Sequence, residues 1–180
     1  MLLSHVVFMD ASEIISHFDV KQRWMACHVK KAQFPTKESL AGFDIYHAAA
    51  KPPQPFEPPS VPDKQPLTLY WVNNHPLMIQ YAKLQAQQWP ESDRATMLAY
   101  FAQLALEDGV EIDDATVTLC IGTQNGETYA AAMRVDTVLD GQAVSGIYDL
   151  IAPSDDARAQ LLYALSQKIN GDDRLWVIDR

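Results

Sequence analysis

The sequence predicts an α+β fold with a mixed sheet, built mainly from residues 67–180. Short runs rich in apolar, β-branched and aromatic residues, such as LTLYWV at 67–72, have the composition of β-strands. Longer segments repeat apolar residues at intervals of three and four, as amphipathic helices do. Asn-Gly at 125–126 and Asp-Gly at 140–141 are typical of the tight turns that join antiparallel strands.

The elements of residues 67–180 are predicted in the order strand, two helices, three antiparallel strands, helix and strand. After the first strand, a helix is predicted at 77–89, with Pro90 at its end. A second helix is predicted to follow and to continue as far as Gly109. The remaining strands are predicted at 116–121, 129–138, 143–151 and 175–178, with a helix at 155–169.

Residues 1–50 are predicted to form a small helical module, and residues 51–66 a Pro-rich linker or a strap across the domain surface. Seven of the eleven prolines lie in residues 51–66. Such a run excludes helix and interior sheet and favours an extended chain. If the segment is a strap, Phe56 and Val61 are the apolar side chains that could hold it in place.

A second interpretation of the N-terminal module is a helix-turn-helix at residues 12–32, with its turn at residues 18–20. The side chains that would face DNA are then Lys21, Gln22, Arg23 and Lys30. The turn lacks the glycine that such turns usually contain, so a plain helical pair is the simpler interpretation.

The charge distribution limits the range of partners. The net charge is −9, and residues 67–180 hold seven basic against sixteen acidic side chains, whereas residues 1–66 are balanced. An acidic domain repels the phosphates of nucleic acids. Binding of nucleic acid is therefore expected only through residues 1–50. The expected partner of the larger domain is a small molecule or a protein.

Several features predict a cytoplasmic protein without a membrane span. No apolar run approaches the roughly 20 residues of a membrane-spanning helix, and the N-terminal residues have no basic leader. Cys27 and Cys120 lie in apolar surroundings and are expected to be buried free thiols. The five histidines show no metal-ligand spacing, so no metal site is predicted.

The order of elements over residues 67–180 resembles the central topology of the GNAT superfamily of acyl-CoA-dependent N-acyltransferases. In that family, the strand that matches residues 146–152 offers backbone groups to the pantetheine arm of the coenzyme. The loop and helix start that match residues 154–159 bind its pyrophosphate through a [QR]xxGx[GA] motif. The resemblance implies acyl-CoA or acetyl-CoA as the cofactor, bound by Leu150, Ile151, Ala152, Ser154, Ala157, Arg158 and Ala159.

The matching residues depart from the family motif. Ser154 replaces the first Gln or Arg and Ala157 replaces the central glycine, while Ala159 keeps the final small residue. Asp155 and Asp156 suit the helix dipole but oppose a pyrophosphate. The chain also ends where the family continues with a further helix and two strands. We therefore expect coenzyme binding to be degenerate.

Asp149 is the candidate catalytic residue, because a carboxylate at the end of this strand could act as a general base towards an amine if burial raises its pKa. A hydrogen-bonded structural aspartate is the simpler interpretation. The main prediction is a GNAT-like module that binds a small molecule or a protein partner. Acyl-CoA-dependent N-acylation of an amine and DNA-binding regulation are the two alternatives. The strand at 175–178, as a sheet edge, leaves pairing with a second copy of the chain open.

Overall fold

A computed structural model describes residues 9–30, 35–104, 115–167 and 174–179. In these ranges the chain forms an α+β fold around one mixed sheet, which confirms the predicted class at that level. The helices are α1 (Ala11–Lys30), α2 (Lys37–Ala49), α3 (His75–Gln87), α4 (Arg94–Phe101) and α5 (Asp155–Ser166). The strands are β1 (Gln54–Pro55), β2 (Thr68–Trp71), β3 (Thr116–Gln124), β4 (Glu127–Leu139), β5 (Gln142–Ile151) and β6 (Leu175–Ile178).

The six strands have the order β1-β6-β5-β4-β3-β2. Strands β2 to β5 pair antiparallel, β6 is parallel to β5, and β1 is antiparallel to β6. The two predicted hairpin turns are confirmed: Asn125 and Gly126 have φ of 52° and 80°, and Asp140 and Gly141 have 49° and 82°. Turns of type I′ require positive φ at both positions, which Asn, Asp and Gly tolerate.

Helices cover both faces of the sheet. Along β4, Ala130 and Ala132 point to one face, and Ala131 and Met133 point to the other, because successive residues of a strand alternate. α5 packs on the first face through buried residues such as Leu161. α1 and α3 contact the second face, and α2 and α4 pack against them. The alanines on β4 are small enough to let helices approach from both sides.

Residues of the predicted N-terminal module belong to the main core. Val20 and Trp24 from α1 and Tyr46 from α2 are buried in the same apolar cluster as Met97 and Tyr100 from α4. Packing of this kind joins both N-terminal helices to the sheet. The division of the chain at residue 50 stays a prediction, but these side chains share one core with the rest of the fold.

The turn predicted at residues 18–20 is wrong, because α1 continues through it as one helix. Nothing in this segment breaks a helix, and Phe18 and Val20 both pack on the core. The helix begins after Asp10, whose carboxylate accepts hydrogen bonds from the N–H groups of Ser12 and Glu13. Two helices of a helix-turn-helix are therefore not present between residues 12 and 30.

The Pro-rich segment lies against the sheet as a strap. β1 pairs with β6, and the N–H of Phe56 donates to the carbonyl of Trp176 at 2.9 Å. Phe56 packs against the core beneath α5, whereas Val61 is 61% exposed and does not anchor the segment. The edge of a sheet accepts proline because the missing N–H can face away from the neighbouring strand.

Several boundaries differ from the prediction. α4 ends at Phe101, earlier than expected, and residues 105–109 of the predicted helix lie outside the described ranges. Cys27 and Cys120 are buried free thiols, as expected. Among the described residues, no helix has both the length and the apolar character needed to cross a membrane.

His17 connects α1 to the middle of the sheet. Its Nε2 lies 3.1 Å from the carbonyl oxygen of Val135, and its Nδ1 lies 2.7 Å from the hydroxyl of Tyr148. Because a carbonyl oxygen only accepts, Nε2 carries the proton, and Nδ1 accepts the Tyr148 O–H. Burial lowers the pKa of His17 to about 4, so the ring is neutral at physiological pH. Gly146 provides the space for this ring.

Replacing Gly146 by alanine should lower the free energy of unfolding by about 1–3 kcal/mol. The added Cβ would overlap the ring of His17 and lie 2.5 Å from the ring of Tyr148, so both must shift. Urea denaturation measures the loss. The control is Val138→Ala on the neighbouring strand, which is 62% exposed and should change stability by less than about 0.5 kcal/mol. Equal stabilities of the two variants would contradict this packing.

Stability should fall as the pH drops below 6.5. Burial lowers the pKa of His17 and His28 from 6.5 to about 4, so the unfolded chain binds protons that the folded chain does not. Their contribution is complete above pH 6.5, and between pH 6.5 and 5 each histidine costs about 2 kcal/mol. Asp179, with its raised pKa, offsets part of this.

Urea denaturation at pH 7.5 and pH 5 checks this pH dependence. The variant His28→Gln should lose less than half as much stability as the parent chain over this interval, because one histidine contribution is removed and the opposing contribution of Asp179 stays. His75→Gln replaces an exposed histidine and should keep the full dependence. Stability that is constant between the two pH values would show that the buried rings are not neutral.

Candidate functional site

An open cleft lies where β5 and β6 separate at their C-terminal ends. Its three adjoining sections, which we call inner, middle and outer, measure about 240, 320 and 380 Å³. The inner section is lined by Lys21, Tyr46, Lys51, Trp89, Asp149 and Asp179. The middle section shares Tyr46, Trp89, Asp149 and Asp179 and adds Gln85, Gln88 and Leu150. The outer section is lined by Leu150, Ile151, Ala152, Ser154, Asp155 and Arg158.

One extra residue in β5 changes the direction of the strand beside the cleft. Across β4 and β5, Met133 pairs with Tyr148 and Ala131 pairs with Ile151, so two steps along β4 match three along β5. Asp149 lies in this bulge with a φ of 53°, in the left-handed region that favours glycine, asparagine and aspartate. A bulge bends its strand and redirects the side chains around it.

Pairing between β5 and β6 stops at the same place. Ile147 and Ile178 are the last pair, and the N–H of Asp179 donates to the carbonyl of Ile147 at 3.0 Å. At the next step a side chain replaces the backbone partner, since the N–H of Asp149 donates to the carboxylate of Asp179 at 3.0 Å. Within the described part of the chain, Leu150 has no partner on β6. This edge of β5 therefore lines the cleft.

Helices α2 and α3 hold the bulge in position. The hydroxyl of Tyr46 donates to Oδ2 of Asp149 at 2.7 Å. The side-chain amide of Gln85 donates to the backbone carbonyl of Asp149 at 2.7 Å. Asp149 is thus anchored through its side chain, its carbonyl and its N–H, which keeps an unusual backbone conformation in one place.

Asp149 and Asp179 form a carboxyl pair on the wall of the inner section. Burial, and then the charge of Asp149, raise the pKa of Asp179 to about 6, while Lys21 and Arg158 act in the opposite direction. A carboxyl group with this pKa exists in both protonation states near neutral pH. Asp179 can therefore accept or donate a proton under physiological conditions, which an ordinary aspartate does poorly.

Lys21 places a buried amine on the same wall. Its Nζ lies 4.5 Å from the ring centroid of Tyr46 and 5.0 Å from that of Tyr148, and it donates to the amide oxygen of Gln22 at 3.1 Å. Burial lowers the pKa of Lys21, although the nearby carboxylates of Asp149 and Asp179 raise it.

The outer section ends at the N-terminus of α5. The hydroxyl of Ser154 caps this helix by accepting the N–H of Ala157 at 3.2 Å. Asp155 and Asp156 are exposed in the first turn. Lys64 of the strap pairs with Asp156 at 3.2 Å, and Arg158 also lines the section. The mouth of the cleft thus combines two carboxylates with two cations.

Most residues predicted for the site meet at this cleft. Those that line it are Asp149, Leu150, Ile151, Ala152, Ser154 and Arg158. Ala157 is fully buried and packs in the core beneath α5, and Ala159 is half-buried. Neither alanine side chain is among those that line the outer section. Their predicted role in coenzyme binding stays a prediction.

The residues that surround Asp149 in the inner section include Asp179, Lys21 and Tyr46, which were not predicted as site residues. Asp179 had a signal in the sequence, since it directly follows the apolar strand at 175–178 and Asp149 lies near the end of the strand predicted at 143–151. The corresponding ends of parallel strands meet at one edge of a sheet. Lys21 had a weaker signal, because it falls on the apolar helical face formed by His17, Val20 and Trp24. Tyr46 had none, since only the packing of α2 brings it to the bulge.

The arrangement suits proton transfer next to an extended ligand. A free strand edge can hold an elongated molecule by backbone hydrogen bonds, and the carboxyl pair lies at the inner end of that edge. Among the residues that the structure describes, no cluster of His, Cys, Asp and Glu side chains could hold a metal ion.

Replacing Asp149 by asparagine should lower the pKa of Asp179 from about 6 towards the ordinary aspartate value of 3.8. The change removes the repelling charge, and asparagine also tolerates the left-handed conformation of the bulge. Carbon-13 NMR of the side-chain carboxyl groups follows the titration. Asp155→Asn at the mouth is the control and should leave it unchanged. A pKa that stays at about 6 in Asp149→Asn would show that the two carboxyl groups do not interact.

The chain was compared with known protein families, curated proteins and solved structures. No protein-family model, no curated protein and no solved structure matches the chain. The function is therefore inferred below from the residues of the cleft.

Proposed function

We propose that the protein is a divergent member of the GNAT superfamily that transfers an acyl group from a thioester to an amine. The observation that carries the proposal is the bulge at Asp149, where β5 leaves β6 and opens a cleft that ends at a carboxyl pair. The strand order supports it as well, since one parallel pair adjoins a run of antiparallel strands, as the resemblance implies.

The outer and middle sections suit the pantetheine arm of acyl-coenzyme A. Leu150 presents an unpaired strand edge on this side of β5, and Ile151 and Ala152 continue the wall. The mouth suits the pyrophosphate less well, because Asp155 and Asp156 are negative, and among the described residues Arg158 and Lys64 are the cations that oppose them. We therefore expect the pantetheine arm to bind in the cleft, and the pyrophosphate to lower the affinity of the whole coenzyme.

The inner section supplies the acid–base chemistry. Acyl-coenzyme A, when bound, would supply an activated acyl thioester. An amine reacts only after it loses a proton, and Asp179 can accept that proton at neutral pH because its pKa is raised to about 6. Asp149 positions Asp179 through its N–H and maintains that raised pKa. The rate of transfer should therefore rise as the pH increases through about 6.

A second candidate function is ligand binding without transfer. The two carboxylates at the mouth favour it, as does Ala157 at the place where the family motif has glycine. In this case the cleft would take a neutral or cationic molecule and discriminate against a pyrophosphate.

Calorimetric titration with S-acetylpantetheine and acetyl-coenzyme A tests the proposal, because the first compound has the arm but no pyrophosphate. We expect both to bind, the coenzyme no more tightly than the shorter compound. In Asp155→Asn with Asp156→Asn, affinity for acetyl-coenzyme A should rise about 3- to 30-fold, since each removed carboxylate ends a charge repulsion with the pyrophosphate of about 0.3–1 kcal/mol at the solvent-exposed mouth. Affinity for S-acetylpantetheine should not change.

The matched control removes a charge at the opposite end of β5. Asp140→Asn lies in the turn between β4 and β5 and should leave both affinities as they are. If neither compound binds at millimolar concentration, the acyltransferase proposal fails. Binding of both compounds without transfer to any amine would favour the second candidate.

A further inference from the structure

We propose that Lys21 is a nucleophile that captures a small aldehyde or ketone in the inner section as an imine. The proposal rests on a buried amine that lines the inner section of the cleft together with two carboxyl groups. It does not depend on coenzyme binding, because it uses only residues of the inner section.

The surroundings of Lys21 are unusual for a charged lysine. Its side chain is 2% exposed, and its Nζ has one hydrogen-bond acceptor, the amide oxygen of Gln22. Within the described residues, no carboxylate oxygen lies within the 4.0 Å of an ion pair with Nζ. An ammonium group has three protons to donate, so this site leaves most of that capacity unused.

Two opposing effects decide the protonation state of Lys21. The ring centroids of Tyr46, Tyr148 and Phe18 lie 4.5, 5.0 and 5.8 Å from Nζ. Together these aromatic contacts stabilise the protonated form of Lys21 by about 0.5–2 kcal/mol. Burial acts in the opposite direction and is the larger effect, so the pKa of Lys21 is lowered. A lowered pKa increases the fraction of Lys21 that is neutral, and the neutral amine is the form that attacks carbonyl groups.

The carboxyl pair completes the chemistry of imine formation. The lone pair of Nζ forms a bond to the carbonyl carbon, and the carbonyl oxygen takes a proton from the protonated form of Asp179. The carbinolamine nitrogen then returns a proton to the Asp179 carboxylate. The hydroxyl group takes that proton from Asp179 and leaves as water, which forms the C=N bond of an iminium ion. The iminium nitrogen gives its remaining proton to the Asp179 carboxylate, and a neutral imine remains. No oxidant or reductant is needed, and Asp179 ends in its starting state.

The volume of the section limits the ligand. About 240 Å³ holds a compound of a few carbon atoms, and Tyr46 and Trp89 provide aromatic walls. We therefore infer a small aldehyde or ketone rather than a sugar phosphate or a peptide.

Reductive trapping on the intact chain tests the inference. Propanal and sodium cyanoborohydride are added at pH 7.4, and peptide mass spectrometry measures propylation at each lysine. We expect Lys21 to react at least about tenfold faster than Lys51, because nearby proton donors and acceptors accelerate the reaction. Lys51 is the matched comparator, since it lines the same section but is exposed. Reaction at Lys21 that is no faster than at Lys51, or absent, would overturn the proposal.

The variant Asp179→Asn tests whether Asp179 accelerates the reaction of Lys21 or whether the burial of Lys21 alone accounts for its reactivity. It should slow propylation of Lys21 at least about fivefold and leave Lys51 unchanged, provided that its thermal unfolding stays cooperative. Asp140→Asn, in the turn at the opposite end of β5, is the control and should leave both rates unchanged. An unchanged rate at Lys21 in Asp179→Asn would contradict the role of the carboxyl pair.

The two proposals can fail separately. Calorimetry with S-acetylpantetheine tests the acyltransferase function and does not involve Lys21. Acetylation of Lys21 by S-acetylpantetheine without added reductant would identify this lysine as an acyl acceptor and overturn its assignment to carbonyl capture.

Discussion

The inserted residue at Asp149 is the constraint on which the cleft depends. Without it, β5 would continue in register with β4, and its edge could go on pairing with β6 beyond Ile147. The left-handed conformation at Asp149 is held from three directions, by Tyr46, Gln85 and the carboxylate of Asp179. Each of these contacts satisfies a polar group that the bulge would otherwise leave without a partner. The same contacts that stabilise the bulge therefore assemble the carboxyl pair.

The N-terminal helices supply part of both the core and the cleft. α1 reaches the sheet through His17, whose neutral ring fits over Gly146 and hydrogen-bonds to Tyr148. One turn further along, the Nζ of Lys21 lies 5.0 Å from the ring centroid of the same tyrosine, where the charges of Asp149 and Asp179 act on it. α2 contributes Tyr46 to the core and, by its hydroxyl, to the bulge. Two helices that pack mainly through apolar side chains thus contribute one amine, from α1, and one hydroxyl, from α2, to a polar site.

Charge differs between the two ends of the cleft. The inner end combines Lys21 with two carboxyl groups, one of which has a raised pKa, so its net charge changes readily with one proton. The outer end keeps the charges of Asp155 and Asp156 in contact with solvent, where they complement the dipole of α5. A stabilising arrangement for the helix is therefore unfavourable for an anionic ligand. Because of this conflict, the carboxylates at the mouth weaken the affinity for the whole coenzyme but not the affinity for the acyl-pantetheine arm alone.

The sequence by itself determined the order of the elements in residues 67–180, both hairpin turns, and the place where β5 passes into α5. These features depend on local chemistry, such as Asn125-Gly126 in a turn and Ser154 as a helix cap, so a short window of sequence suffices. Only the tertiary structure decided that α1 is one helix that packs on the sheet. It also decided which side chains join Asp149, because the contacts of Asp149 with Tyr46 and Asp179 span 103 and 30 residues. Pairings over such separations depend on how the helices pack and on where the strands separate, and local patterns do not encode either.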